Sequence, residues 1–283
     1  RKAKVANVNL KSSTIPEDED NFKAICRAKA LLAQRENIIR QQEKILSKFH
    51  SFETPFFTCN VCGFYGQFLT FGQNKRPDAV YPVCHSFERT RYAIRVLDFN
   101  KKLTSSSSVL EIAPTKGTHD YFCYHIGCNY VGIDINPQLL LEKKISCRQF
   151  DLCLDDTSQL GDFDLILNIH VLEHVRCDPL FVIERLNKVL KPDGIHLISV
   201  PFAGKRTIEN MSTALSPDER TVRFGHPDHQ RAFGHDDFPK AMYEHFGTKF
   251  GEFDRSKFDN DNNFKFSLGL DIPANRLFYV RNR

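Results

Sequence analysis

Val109-Leu110-Glu111-Ile112-Ala113-Pro114-Thr115-Lys116-Gly117 is the stretch that decides the fold. Its first residues form an apolar, β-type run. From Ala113 to Gly117 it becomes a turn of small residues leading into a helical pattern, so backbone can approach a ligand where the strand gives way to a helix. Downstream, Tyr130-Val131-Gly132-Ile133-Asp134-Ile135 reads as a second strand ending on a carboxylate, which suits the two ribose hydroxyls of a nucleoside-like cofactor. A third strand-like patch closes on Gln149-Phe150-Asp151-Leu152. A fourth, Phe163-Asp164-Leu165-Ile166-Leu167-Asn168-Ile169-His170, runs into Val171-Leu172-Glu173-His174-Val175. Glu173 and His174 are expected to begin a helix. A further helix through Leu186 to Leu190 is expected to stop at Lys191-Pro192-Asp193-Gly194, before a fifth strand from Ile195 to Pro201. Short β-type runs alternating with helical patterns argue for βαβ units and a parallel sheet.

The surrounding composition agrees with a folded α/β chain. Among 283 residues, 41% are hydrophobic and 26% charged, enough to bury a sizeable core. The net charge of +4, from 39 basic and 35 acidic residues, steers anions only weakly, so a nucleic-acid partner is not favoured. No run approaches the roughly 18 apolar residues that span a bilayer. Nine cysteines at irregular spacing, without a signal-like apolar stretch, predict reduced thiols and a cytoplasmic location. Cys123, Cys128, Cys147, Cys153 and Cys177 are expected as packed thiols.

Toward the N-terminus, residues 1–21 read as a flexible leader and 22–100 as a helical and cysteine-knuckle segment. An amphipathic helix is expected from Phe22 to Phe49. Cys59-Asn60-Val61-Cys62 and Tyr81-Pro82-Val83-Cys84-His85 have the outline of a zinc ribbon, in which two C-x-x-C knuckles hold a tetrahedral ion. Tyr81 stands where a fourth thiolate would be, so Cys59, Cys62 and Cys84 are the candidate ligands. His85 is poorly placed beside Cys84. Zinc on three thiolates and a metal-free knuckle packed by Phe57, Phe64, Phe68 and Phe71 are both open readings. A helix from Ser86, as possible N-cap, to Leu97 follows, and the main domain is set at 101–283.

The order of these motifs resembles the class I S-adenosylmethionine-dependent methyltransferases, in particular the type 11 and 12 group, over residues 105–283. The run Leu190-Lys191-Pro192-Asp193-Gly194 and the run His170-Val171-Leu172-Glu173-His174-Val175 are the most telling. The resemblance implies an α/β fold: a Rossmann-like, seven-stranded sheet flanked by helices, behind the degenerate zinc-ribbon-like segment. It implies that Glu111, Ala113, Thr115 and Gly117 line the methionine end of S-adenosylmethionine. Asp134 and Ile135 would meet the ribose, and Phe150, Asp151 and Leu152 would frame the adenine. Asn168 and His170 would stand beside the sulfonium. The family's acidic-x-Gly-x-Gly-x-Gly reads Glu111-x-Ala113-x-Thr115-x-Gly117 here. Ala113 is expected to replace glycine cheaply, whereas Thr115 resists positive φ. That departure motivates a non-catalytic binding module as an alternative.

Beyond strand five, the chain is dense in His, Asp and Arg from Arg223 to Asp236, which reads as an active-site lid. Methyl transfer needs an aligned nucleophile and a base, and a histidine near neutral pKa suits a hydroxyl acceptor. His229 is the first choice, with Asp228 orienting it and His226 or His170 as substitutes. His174, Arg223 and Arg231 are expected to bind the acceptor, the arginines through an acidic group. Catalysis is expected to be metal-independent, with a cation near Asp228 as the lesser option. The knuckle followed by Ser86-Phe87-Glu88-Arg89-x-Arg91, with Phe224-Gly225-x-Pro227-Asp228-His229-x-Arg231, is similar to methyltransferases found beside surface-polysaccharide glycosyltransferases. That resemblance implies O-methylation of a sugar or glycan; RNA or protein as acceptor is the alternative. A helix from Phe238 to Phe246 and a strand from Arg276 to Val280 are expected to close the sheet's antiparallel edge.

Overall fold

The computed structural model describes residues 56–72, 76–100, 103–258, 267–270, 272–273 and 275–282. The leader and the helix expected over Phe22 to Phe49 lie outside them. The described chain opens with two small antiparallel pairs: β1 (Phe57–Thr58) with β2 (Tyr65–Gly66), and β3 (Leu69–Phe71) with β4 (Arg76–Val80). The helix Glu88–Asn100 follows. Ser86 lies before its first turn and turns its hydroxyl toward the thiols of Cys59 and Cys84.

Seven strands then build one mixed sheet in the order β12-β13-β9-β8-β5-β6-β7. Here β5 is Ser108–Ile112, β6 Asn129–Asp134, β7 Arg148–Gln149, β8 Phe163–Ile169, β9 Leu190–Ser199, β12 Phe250–Glu252 and β13 Phe278–Arg281, while β10 (Ile208–Glu209) and β11 (Arg231–Ala232) form a separate antiparallel pair. The first five are parallel, and β13 runs antiparallel to both β9 and β12. The chain winds outward from β5 through β6 to β7, then resumes on the other side at β8. The order therefore reverses between β5 and β8, and a crevice opens at the carboxyl ends of strands at such a point. Register brings those ends level, with Ile112 between Ile133 and Asn168.

Alternation along the strands divides the core in two. Val109, Leu165, Leu167 and Leu197 face one cluster, which also holds Phe57, Cys59, Phe64, Tyr81, Tyr92 and Ile94. Knuckle, helix and sheet thus share one apolar core across the boundary expected after residue 100. Leu110, Ile166 and Ile198 face the other cluster, with Val182, Ile183 and Leu186 from the helix Pro179–Asn187.

Two local expectations change. Glu173 and His174 lie in a turn, and the next helix starts only at Pro179, where the Asp178 side chain accepts from Leu180 N and proline fills the first turn. The Lys191-Pro192-Asp193-Gly194 run, expected only to stop a helix, belongs to β9, with Asp193 at φ 60°. The expected C-terminal helix is found at Asp237–Phe246 and the last strand at β13, but β13 lies between β9 and β12, so β12, which was not expected, forms the antiparallel edge.

Candidate active site

At the end of β5 the chain turns at Ala113, which takes φ 52°. Thr115 stays extended at φ −104° and caps the short helix Lys116–Asp120, its side chain accepting from Thr118 N while Thr118 returns the contact to the Thr115 N–H. The expectation about these two residues is thereby reversed. Alanine, not threonine, carries the left-handed conformation, and threonine serves as a cap.

Glu111 is buried beneath this turn and accepts from Thr118 Oγ1 and from the Tyr130 hydroxyl at 2.8 Å. Burial pushes its carboxyl up to about 7, against the pull of those donors. Gly117 does not reach the cavity wall. A Cβ there would lie 2.9 Å from the Cys84 carbonyl, so its role is to let the knuckle pack against the turn.

A cavity of about 670 Å³ lies over the carboxyl ends of the strands. Ala113, Asp134, Ile135, Phe150, Asp151 and Leu152 line one side, and His170, His174 and Asp228 the other. The residues fit an adenosyl group: Asp134 stands half-buried at the end of β6, and the largely buried Phe150 and Leu152 offer apolar surface. The Asp151 carboxylate already accepts from Cys153 N at 2.7 Å. Cys153 belongs to the same wall and is disulfide-bonded to Cys177, which corrects the expectation of reduced thiols at these two positions. Cys123, Cys128 and Cys147 are free.

A smaller cavity of about 80 Å³ touches Glu111, Ala113, Thr115 and Arg89, and shares Ala113 with the main one. His170 joins the main cavity to a third, of about 150 Å³, lined by Arg76, Arg89 and Phe202. Arg89 therefore borders both side cavities and was missed as a site residue. Its place in the Ser86-Phe87-Glu88-Arg89 run, directly after the knuckle, was the available signal. Asn168 is wholly buried beside these groups, its amide atoms unpaired and off the cavity wall.

Four histidines and two carboxylates gather at and behind the side of the cavity opposite Asp134. His170 Nδ1, His174 Nε2 and His229 Nε2 stand 3.5, 3.9 and 4.0 Å from one oxygen of Glu173. His174 Nδ1 is 3.3 Å from Asp228 Oδ2, and Asp228 also binds His226 Nδ1. Burial pushes the Glu173 carboxyl up to about 8. It holds the His170 imidazole well below its ordinary value, an effect that Arg89 reinforces. His229, the expected base, is largely buried behind this front, with Nδ1 held 2.9 Å from the Phe224 carbonyl. Burial lowers it to about 4.

Neither expected acceptor arginine lines the main cavity. Arg231 is 1% exposed and donates to the carbonyls of Leu172, Val175 and Cys177, while its Nε meets Glu209 at 3.2 Å. It fixes the Glu173–His174 turn instead of binding a ligand. Arg223 is exposed on the helix Pro217–Phe224.

In the knuckle, the sulfurs of Cys59, Cys62 and Cys84 lie within 4.8 Å of one another, and Cys59 and Cys84 are 3.6 Å apart. That separation is close to the edge of a tetrahedral zinc–thiolate site, about 3.8 Å for bonds of about 2.3 Å. The fourth corner has no cysteine. Tyr81 is buried against Phe64 and Phe68, His85 is exposed, and the Ser86 hydroxyl is the nearby oxygen.

A family model described as a methyltransferase domain matches residues 85–245, more than half of the chain. The chain belongs to the class I S-adenosylmethionine-dependent methyltransferases. No curated protein matches the sequence. Among solved structures it is similar to an S-adenosylmethionine-dependent methyltransferase from Mesorhizobium loti, at 13% identity and a TM-score of 0.45, covering 68% of this chain and 98% of that one. A methyltransferase from Archaeoglobus fulgidus gives 16% identity and 0.41, with 70% and 96% covered. The 1,6-didemethyltoxoflavin-N1-methyltransferase of Burkholderia thailandensis gives 13% and 0.44, with 69% and 78% covered. The cofactor of this methyltransferase is S-adenosylmethionine. Among the described residues, no helix is long and apolar enough to cross a membrane.

Proposed function

We propose that this methyltransferase methylates a hydroxyl of a sugar or glycan. The observation that carries the reading is the shared cavity, which has Asp134, Phe150 and Leu152 on one side and His170, His174 and Asp228 on the other. S-adenosylmethionine, when bound, supplies an electrophilic methyl on a sulfonium. Asp134 accepts from the ribose hydroxyls, Phe150 and Leu152 enclose the adenine, and Glu111 and Arg89 receive the amino and carboxyl ends of the methionine. Imidazoles on the wall opposite Asp134 suit an acceptor that must lose a proton, as a hydroxyl must.

His170 takes the base's role in place of His229. It lies at the carboxyl end of β8, borders two cavities, and turns Nδ1 toward Glu173. Burial keeps the ring neutral, with a lone pair to offer. Arg76, beside the third cavity, takes over from Arg223 and Arg231 as the group that would meet an acidic acceptor.

The test is product analysis. The purified chain is incubated with methyl-labelled S-adenosylmethionine and, separately, with sugar nucleotides, oligosaccharides, RNA and protein. A methyl ether on a saccharide is expected. Label in RNA or protein, with none in any saccharide, would overturn the acceptor class.

A further inference from the structure

We infer that Glu173, His174 and His229 form a site for a divalent transition-metal ion on the acceptor side of the cofactor cavity. One ligand atom from each lies within 4.8 Å of the others. The hydrogen bonds around them decide which atoms face inward. The Phe224 carbonyl can only accept, so His229 Nδ1, at 2.9 Å, carries the proton and Nε2 the lone pair. His174 Nδ1 stands 3.3 Å from the Asp228 carboxylate, which can only accept, so the ring proton belongs on that side and the lone pair on Nε2. Both lone pairs converge on Glu173 Oε1, at 3.9 and 4.0 Å.

These separations are too long for hydrogen bonds. Donors about 2.1 Å from a tetrahedral ion stand about 3.4 Å apart, so each ring needs to move inward by only about half an ångström to share one ion. Glu173 is fully buried, and neither of its carboxylate oxygens has a hydrogen bond. Three electron-pair donors that face one another need a positive centre between them, and a cation satisfies all three at once where a proton on Glu173 would serve only one imidazole. The Phe224 carbonyl and the Asp228 carboxylate are also the kind of outer partners that orient metal-bound imidazoles. Two imidazoles and one carboxylate suit manganese, iron or zinc better than magnesium or calcium.

The site revises the expectation of metal-independent catalysis and rests on the methyl-transfer reading for its use. His174 and Asp228 line the cavity, so an ion held here can take the acceptor's hydroxyl oxygen as a further ligand. Its charge eases loss of the hydroxyl proton, which passes to His170. The oxygen then forms the new bond to the methyl carbon. The carbon–sulfur bond breaks with its electron pair on sulfur, giving a methyl ether and S-adenosylhomocysteine, and the proton leaves from His170 to water.

The test is Mn²⁺ titration of the chelator-treated full chain, followed by electron paramagnetic resonance, with S-adenosylhomocysteine binding measured calorimetrically on the same samples. Manganese is the probe because the three knuckle thiols favour softer ions. One saturable site is expected. Glu173→Gln, which conserves shape, and His174→Ala, at a partly exposed ring, should each weaken Mn²⁺ at least about tenfold while cofactor binding stays within about twofold. Cys59→Ser should leave Mn²⁺ binding unchanged. A chain that binds S-adenosylhomocysteine but no Mn²⁺, or whose Mn²⁺ binding survives both variants, overturns the site. Saturable Mn²⁺ binding lost in both variants, without cofactor binding, upholds the site and overturns the methyl-transfer reading.

Discussion

Gly117 packs its bare Cα against the Cys84 backbone, so the cysteine knuckle rests directly on the turn whose Ala113 lines the main cavity. A Cβ at Gly117 would lie 2.9 Å from the Cys84 carbonyl and 3.3 Å from its Cβ. The helix of Gly117 is fixed by its cap, and Cys84 is buried among its neighbours, so neither side yields easily. Gly117→Ala should therefore destabilise the protein by about 1–3 kcal/mol, as overpacking does. Chemical denaturation measures it, and an unchanged midpoint would mean that the knuckle moves freely relative to the turn.

Ala113 and Thr115 make opposite predictions at adjacent corners of that turn. Ala113→Gly relieves a side chain held at φ 52° and should raise stability by up to about 1 kcal/mol. Thr115→Ala removes the capping box and should lower it by about 1 kcal/mol. Urea midpoints of the two variants should move in opposite directions. Movement in the same direction would contradict the division of roles.

The buried Glu111 carboxyl gives stability a pH dependence of known sign. Its pKa rises from an ordinary 4.5 to about 7 on folding, so the folded chain binds the extra proton in between. Its contribution is present in full below about 4.5 and is lost as pH rises through about 7. Integrated, the loss is on the order of 3 kcal/mol. In the absence of cofactor, wild type should lose stability relative to Glu111→Gln between pH 5 and pH 8. A constant difference across that range would refute the assignment.

The parts of this protein that were legible beforehand are those governed by local pattern. The alternation along Val109 to Ile112 and Phe163 to Ile169, and the carboxylate closing the strand at Asp134, each need only neighbouring residues to be read, and the sheet follows. The family resemblance picked out residues that the structure brings onto one cavity wall. What was not legible depends on contacts distant in sequence. Arg231 looked like a ligand-binding cation, but its fork faces carbonyls 54 to 59 residues away. Gly117 looked like a cofactor glycine, yet its neighbour is Cys84. The convergence of His174 and His229 on Glu173 joins a turn after β8 to a loop far along the chain, which no spacing rule anticipates.

Asp134 tests the cofactor wall from the other side. It lines the cavity at the end of β6, and one of its oxygens accepts from Asn136 N at 2.7 Å. A charged acceptor for ribose hydroxyls contributes about 1.5–3 kcal/mol. Asp134→Ala should thus weaken S-adenosylhomocysteine roughly 10- to 100-fold by calorimetry. Unchanged affinity in the folded variant would move the ribose elsewhere.

The Cys153–Cys177 bond closes a loop with a sequence separation of 24 and ties the Leu152 side of the cavity to the turn carrying His174 and Val175. Cross-linking a loop of this length removes unfolded-chain entropy worth about 3 kcal/mol. Cys153→Ser should lower stability by that order and loosen cofactor binding, because Cys153 itself borders the cavity. Peptide mapping of chain alkylated directly in cells decides whether the bond forms there. A linked pair places the protein in an oxidising setting, or shields the bond from cellular thiols. A fully alkylated pair restores the reduced, cytoplasmic reading, and the cavity wall must then hold its shape by packing alone.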